Sequence, residues 1–483
     1  MTLQLPIDCL DEIFEYLEED YITLHSCLLV NRLWCEITVR ILWRNVWNLK
    51  YSIGHNSYRT HVPLAIIGTL IACLPDESKD LLNKNGIFIS TLTSKPLFNY
   101  ASFTRVLSIN EFNEMIQHVL KNQSSITSLS LDYNKHLLEQ EIIKMFMNQI
   151  PSLKKLCYHQ NNLHFTYFPG ARDCLTKLSE LYCGSDVDSH FFYQLSQICS
   201  NLQSLIIEFR NPISFGLSDF IFVQKNLKYL KLLSYKMMGR RTGLALQSLS
   251  NLFNPLINKL KLIGEDDRMK TFFTSLRQLD LSFIRKISFE VLQNINFPNL
   301  QILKIRMIQP NDDLLIKFFE NNGKNLKELY MDNIHNSLGL SISKFCPNLR
   351  KISSILTNDD LLTLKNIFIN CQYLESIEIC YDFLSNQSSE KKILEIILKH
   401  SQKYFYELKL YHYSSNLVSE DLENFFLNWK NRIPKNSLNL SINVKNRFMN
   451  NNNNNNNRSL DKGIMKVIDK YKKLGIIKKF DTY

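Results

Sequence analysis

Glycine and proline are scarce in this chain, at 13 and 12 of 483 residues, which excludes a collagen-like or broadly low-complexity polymer. Long apolar runs are missing too. The densest, LAIIGTLIACL at 64–74, is a little over half of the roughly 20 residues that a membrane-spanning helix needs. It is expected to be a core helix in a soluble chain without a membrane span. The 11 cysteines are odd in number, include no C-x-x-C pair and follow no charged-then-apolar leader. A secreted disulfide framework is therefore not expected, and the thiols should stay reduced, in cytoplasm or nucleus. Phosphate-cradling glycine loops, the H-E-x-x-H zinc pattern and the G-x-S-x-G elbow do not occur. His159, His164 and His190 fall where loops are expected, without a nucleophile or ligand partner near them. No catalytic residue, metal ligand or cofactor is expected.

What the chain does have is apolar bulk, 45% of its residues, enough for a large core or a long repeat array. Its net charge of +11 is unevenly placed. Residues 1–50 carry four Lys/Arg against eight Asp/Glu, and the tail 458–483 carries eight against three. The remaining excess is dispersed, without a block of five or six like charges, so nucleic acid is not an expected partner.

Three short helical patterns open the chain. Leu10, Ile13, Phe14 and Leu17 fall at i, i+3, i+4 and i+7, with Pro6 just ahead, where its missing N–H costs least. Leu24, Cys27 and Leu28, with Val30 as a further candidate, mark a second face, and Trp34, Ile37, Ile41 and Leu42 a third, from about Asn31. About forty residues are marginal as an independent core, so part of this apolar surface is expected to meet a neighbour. The segment is organised as Leu5-Pro6, Ile13-Phe14-Glu15-Tyr16-Leu17, Asp20, Val30-Asn31-Arg32-Leu33-Trp34 and Leu42-Trp43-Arg44. With that spacing it resembles an F-box, departing only in Asp8, where the family more often has Glu, and in Cys27. The resemblance implies docking to a Skp-type adaptor and, through it, a cullin–RING scaffold. Leu5, Pro6, Ile13, Leu17, Val30, Trp34 and Trp43 would be the apolar anchors, the aromatic ones strongest. Phe14 and Leu28 are expected to pack the bundle instead.

From about residue 100 a motif recurs: CSNLQSLIIEF, QKNLKYLKLLS, FTSLRQLDLSF, FPNLQILKIRM, GKNLKELYMDN, CPNLRKISSI and CQYLESIEICY. Its first leucines are Leu202, Leu227, Leu276, Leu300, Leu326, Leu349 and Leu374, mostly 23 to 26 residues apart. The gap of 49 after Leu227 leaves room for an irregular copy around NKLKLIG. Further copies are read at ITSLSLDYN, PSLKKLCYH, LSELYCG, FYELKLYHY and SLNLSINV. Leu-x-Leu has the period of a strand with one face inward, and NDDLLIKFF (311–319) and NDDLLTLKNIF (358–368) have helical spacing. One strand and one helix cannot bury their apolar faces alone, so the units must stack. The pattern resembles leucine-rich repeats, and Cys199, Cys346 and Cys371 at equivalent positions resemble the cysteine-containing subclass paired with F-boxes. Roughly ten to twelve units are expected. Cysteines spaced at the repeat period read as small core residues rather than as metal ligands.

The expected fold is therefore α/β: a three-helix F-box at 1–50, a helical junction at 51–100, and a repeat solenoid at 101–445. The solenoid should be a horseshoe with parallel strands concave and helices convex. Residues 446–458 contain eight consecutive asparagines and are expected to be a disordered loop. The basic stretch 459–483 is expected to be a helix or cap, with a partner helix or membrane-surface helix as alternatives. Between the inward leucines, Tyr229, Lys231, Asp280, Lys304, Arg306, Tyr330, Asp332, Glu378, Lys409 and Tyr411 should present a strand face to a protein substrate. The resemblance thus implies a non-catalytic receptor that brings substrate to an SCF-type ligase for ubiquitination and proteasomal degradation. A ligase-independent repeat scaffold is the alternative. RNA binding ranks lower, because Asp280, Asp332 and Glu378 interrupt any continuous basic stripe.

Overall fold

The Leu-x-Leu segments are strands, and most segments between them are helices. A computed structural model describes residues 5–50, 61–87, 96–121, 131–159, 163–210, 213–234, 252, 273–283, 289–306, 310–334, 336–356, 361–381, 389–412, 418–432, 436–444 and 461–482. The chain divides into two compact units, Met1–Leu227 and Lys228–Tyr483. The first unit has four described strands: β1 (Val106–Ser108), β2 (Lys155–Tyr158), β3 (Glu180–Gly184) and β4 (Ser204–Glu208). Each is parallel to the next in chain order. The second unit has nine: β5 (Tyr229–Ser234), β6 (Gln278–Phe283), β7 (Ile302–Arg306), β8 (Glu328–Asn333), β9 (Lys351–Leu356), β10 (Ser376–Tyr381), β11 (Glu407–His412), β12 (Leu438–Val444) and β13 (Ile477–Asp481). These too are parallel and consecutive.

Parallel neighbours require a crossover, and from β7 onward helices supply it. They span Asp312–Asn322, Asn336–Phe345, Leu361–Asn370, Ser389–His400, Ser419–Lys430 and Lys462–Lys473. Strand register then carries one apolar residue per strand into a continuous row. In the second unit this row runs Leu230, Leu279, Leu303, Leu329, Ile352, Ile377, Leu408 and Leu440, all buried. Each such side chain contributes about 2 kcal/mol on burial.

Two side-chain ladders lock one repeat to the next. The asparagine before the first leucine reaches back one repeat: Asn299 Nδ2 donates to the Thr274 carbonyl (2.7 Å), Asn325 to Pro298 (2.7 Å) and Asn348 to Lys324 (2.8 Å). The repeat cysteines are core groups, as expected. Cys199 Sγ points to the Leu178 carbonyl at 3.4 Å, and Cys371 Sγ to the Cys346 carbonyl at 3.6 Å. Helices approach closely where Gly339 faces Thr363; a Cβ there would lie 2.2 Å from Thr363 Cγ2.

Some expectations need revision. ITSLSLDYN is not a strand in its described part, because Leu131–Asn134 opens the helix Leu131–Gln149. The strand of that region is β1, three residues long and without the Leu-x-Leu signature. Of the thirteen strands among the described residues, β1 and β13 carry no copy of the repeat motif. In its described part, 461–482, the tail is a helix, Lys462–Lys473, followed by β13, whose exposed Lys478 and Lys479 lie on the last strand, a charged edge that discourages further pairing. The apolar run at 64–74 lies largely in a helix, His61–Ala72, as expected of a core helix. The asparagine tract and the copy around NKLKLIG lie outside the described residues.

Candidate functional site

Residues 7–42 form three helices, Ile7–Glu15 (α1), Tyr21–Cys27 (α2) and Arg32–Leu42 (α3). Side-chain caps start the second and third. Asp20 accepts from the Thr23 N–H (3.0 Å) and its hydroxyl (2.7 Å), and Asn31 accepts from the Trp34 N–H (2.9 Å). Leu10, Phe14, Leu24, Cys27, Ile37, Ile41 and Leu42 fill the interior. Arg44 closes the bundle with a two-pronged pair to Glu15, 2.6 Å on each prong, and the guanidinium holds the Glu15 carboxyl below its ordinary pKa. The same residue's carbonyl accepts from the N–H groups of Arg105 and Val106, and the Trp47 indole donates to the Val106 carbonyl at 2.7 Å. The bundle is thereby fixed to the first strand of its own unit.

The seven sequence-predicted anchors separate into two groups. Leu5, Pro6, Ile13 and Val30 are exposed. Leu17, Trp34 and Trp43 are half-buried against the bundle core; Trp34 meets Phe14 edge-on at 5.0 Å and Trp43 lies 4.6 Å from Tyr100. Helix α1 ends at Glu15, so the i+7 position Leu17 lies beyond it, and Ile13 falls outside the covered stripe. Four further apolar side chains are exposed here: Ile7, Tyr16, Ile22 and Leu29, the last two at 59% and 79%. Leu29 was legible as an outlier, since it lies off the stripe of Leu24, Cys27 and Leu28. Seven of the 23 exposed large hydrophobics described fall within residues 5–30, a higher density than along the rest of the chain.

In the second unit, register sets the outward strand residues in lateral rows. Lys231, Asp280, Lys304, Tyr330, Glu378 and Lys409 share one row, with Ser353 between Tyr330 and Glu378. Tyr229 lies one row earlier, and Arg306 and Tyr411 one row later. Asp332 sits where the β8–β9 register shifts. Asp280 is only 5% exposed, lies 3.8 Å from Lys231 and accepts from the Ser282 hydroxyl (2.8 Å), so its charge is largely answered from within. Burial and that carboxylate push the Tyr229 phenol up to about 12. Tyr330 donates to Glu328 (2.7 Å), and burial together with this bond raises its pKa, keeping it a neutral donor. Lys304, Arg306 and Lys351 surround its ring, with the charged groups 4.9, 5.9 and 5.5 Å from the centroid.

The first unit carries a polar cluster that the sequence did not announce. His159 is buried, with Asn110 Nδ2 2.6 Å from its Nδ1, its ring edge-on to Tyr182 and its Nε2 3.2 Å from Glu208. Arg210 grips both oxygens of Glu208 at 3.1 Å. Burial is the largest influence on the imidazole and holds its pKa below the ordinary value. His190, expected in a loop, lies in the helix Ser189–Ile198 with Nδ1 3.3 Å from the Tyr167 hydroxyl. Among the described residues no three His, Cys, Asp or Glu side chains gather as a metal ion would need, and no helix is long and apolar enough to cross a membrane.

Comparison with known proteins gives little to set beside this geometry. No family model matches the chain, and no curated protein matches it. Among solved structures, the chain is similar to one from a crystal structure of the Rad7 and Elc1 complex in yeast. The identity is 13%, over 80% of this chain and 91% of that one, with a TM-score of 0.38. A likeness of that degree adds nothing to what the residues themselves establish.

Proposed function

We propose that the chain is a non-catalytic substrate receptor of a cullin–RING ubiquitin ligase. In this reading residues 5–44 are an F-box that docks a Skp-type adaptor, and the repeats are leucine-rich repeats whose helix-free strand face holds a protein substrate. The supporting observation is the N-terminal surface. Leu5, Ile7, Ile13, Tyr16, Ile22, Leu29 and Val30 are exposed on a bundle whose core is already filled by other residues. Apolar side chains left outside a satisfied core are available to a partner, and each can contribute about 1.5–3 kcal/mol when buried there. The Arg44 and Trp47 bonds would hold the docked adaptor in fixed relation to the first strands, so that tethering raises the effective concentration of bound substrate near the transfer machinery. Catalysis belongs to other subunits in this scheme, and the setting is cytoplasm or nucleus.

The test is recovery of adaptor and cullin on the tagged full chain, wild type against Leu5→Ala/Pro6→Ala. Recovery by wild type and loss by the variant support the receptor. Folded wild type that recovers neither leaves a ligase-independent repeat scaffold as the better reading.

A further inference from the structure

The two units differ sharply in charge. Residues 1–227 contain 18 Lys/Arg against 22 Asp/Glu, whereas residues 228–483 contain 39 against 24. Within the second unit, one group of cations stands out among the described residues for its lack of close ion pairs. Lys231 has Asp280 at 3.8 Å and Lys409 has Glu407 at 3.5 Å. Lys304 and Arg306 on β7 and Lys351 on β9 bracket Tyr330 on β8 and have no carboxylate within 4.0 Å among the described residues. Glu328 lies opposite Lys351 in the β8–β9 register but turns its carboxylate to the Tyr330 hydroxyl, Glu378 lies beyond Ser353, and Asp332 sits at the register shift. Three like charges held around one ring repel one another, and cation–π attraction at a half-exposed ring offsets that only in part, by about 1 kcal/mol per contact. Solvated lysines lying on a tyrosine by chance would not need to converge from two strands. An anion placed over the ring removes the repulsion, and Ser353, in register with Tyr330, leaves room beside it.

We infer that this patch seats the carboxylates of an acidic segment of a protein partner. Tyr330 is the apolar floor, and Lys304, Arg306 and Lys351 are the charged rim. The inference rests on the reading of the strand face as the partner-holding surface and names the class of partner it takes.

The experiment is fluorescence anisotropy of the full chain with a labelled peptide of alternating glutamate and glycine, its glutamine counterpart, and a single-stranded oligonucleotide. Expected is saturable, salt-sensitive binding of the glutamate peptide only. Lys304→Gln/Lys351→Gln should weaken it by about tenfold or more, while the exposed pair Lys317→Gln/Lys324→Gln, outside the strand face, should leave it within about twofold. Equal losses from both pairs would show diffuse charge and overturn the inference. So would tighter binding of the oligonucleotide with the same dependence on Lys304 and Lys351. Thermal melting of each variant guards against misfolding, and Arg306→Gln, an exposed position, repeats the test if the pair melts early. Adaptor capture by the same preparation separates the two readings. Capture without peptide binding discards the acidic partner and keeps the receptor, whereas peptide binding without capture keeps the patch and discards the ligase.

Discussion

Gln224 is buried and makes three hydrogen bonds, two of which tie its repeat to the preceding one. Its Oε1 accepts from the Leu202 N–H (3.0 Å), and its Nε2 donates to the carbonyls of Cys199 (2.9 Å) and Phe220 (3.0 Å). Gln224→Leu keeps the volume and removes all three. Leu202 and Cys199 are fully buried, so water cannot replace the lost partner on either backbone group. Each orphaned group costs about 1–3 kcal/mol, and a total near 3 kcal/mol corresponds to about a hundredfold change in a local opening equilibrium. Hydrogen exchange read by mass spectrometry at the peptide containing Leu202 should therefore accelerate by about that factor. Gln197→Leu, at an exposed position of the helix Ser189–Ile198, should leave the same peptide unchanged. Exchange at Leu202 within about threefold of wild type in Gln224→Leu would refute the idea that side-chain-to-backbone bonds hold successive repeats together.

Two further outcomes follow from buried titratable groups. Burial lowers the His159 pKa in the native state, whereas in the unfolded chain the imidazole takes up a proton near its ordinary value of about 6.5. Its contribution to stability is therefore present above that value and lost as pH falls toward the depressed folded pKa; melting temperatures between about pH 8 and about pH 5 should fall less in His159→Gln, and equal slopes would sink the assignment. Among the cysteines only Cys9 is exposed, while burial pushes the thiols of Cys174 and Cys371 up to about 12 and raises those of Cys183, Cys199 and Cys346 as well. Brief iodoacetamide treatment of native protein should label Cys9 first and leave these five unlabelled until denaturant is added; early labelling of Cys346 or Cys371 would contradict their core placement.

Sequence pattern carried far where local chemistry repeats. Leu-x-Leu or an aliphatic variant of it marked the strands from β5 to β12, and Asn31 was legible as the start of α3 because its cap is a local bond. Three things lay beyond such reading. Strand β1 is too short to show an alternation and owes its place to Arg105 and Val106 bonding the Arg44 carbonyl, sixty residues back in the chain. Ile13 has perfect helical spacing, but α1 is one of only three thin helices, and nothing in the bundle reaches over it. The pairing of Lys231 with Asp280 depends on the β5–β6 register across a 49-residue separation, which composition alone does not encode. Leu29 and Ile22 were visible as departures from their stripe, yet only the filled core shows that they have no place inside.

The most direct test of the receptor account is calorimetric titration of the purified Skp-type adaptor into the full chain, with wild type compared to Ile13→Asp/Leu29→Asp. Both positions are exposed, so the variant should keep the wild-type circular dichroism and melting temperature. The account predicts stoichiometric binding by wild type and a loss of about 3 kcal/mol or more, over a hundredfold in affinity, in the variant. Folded wild type that gives no heat with the adaptor, or a variant that binds as tightly as wild type, would contradict it.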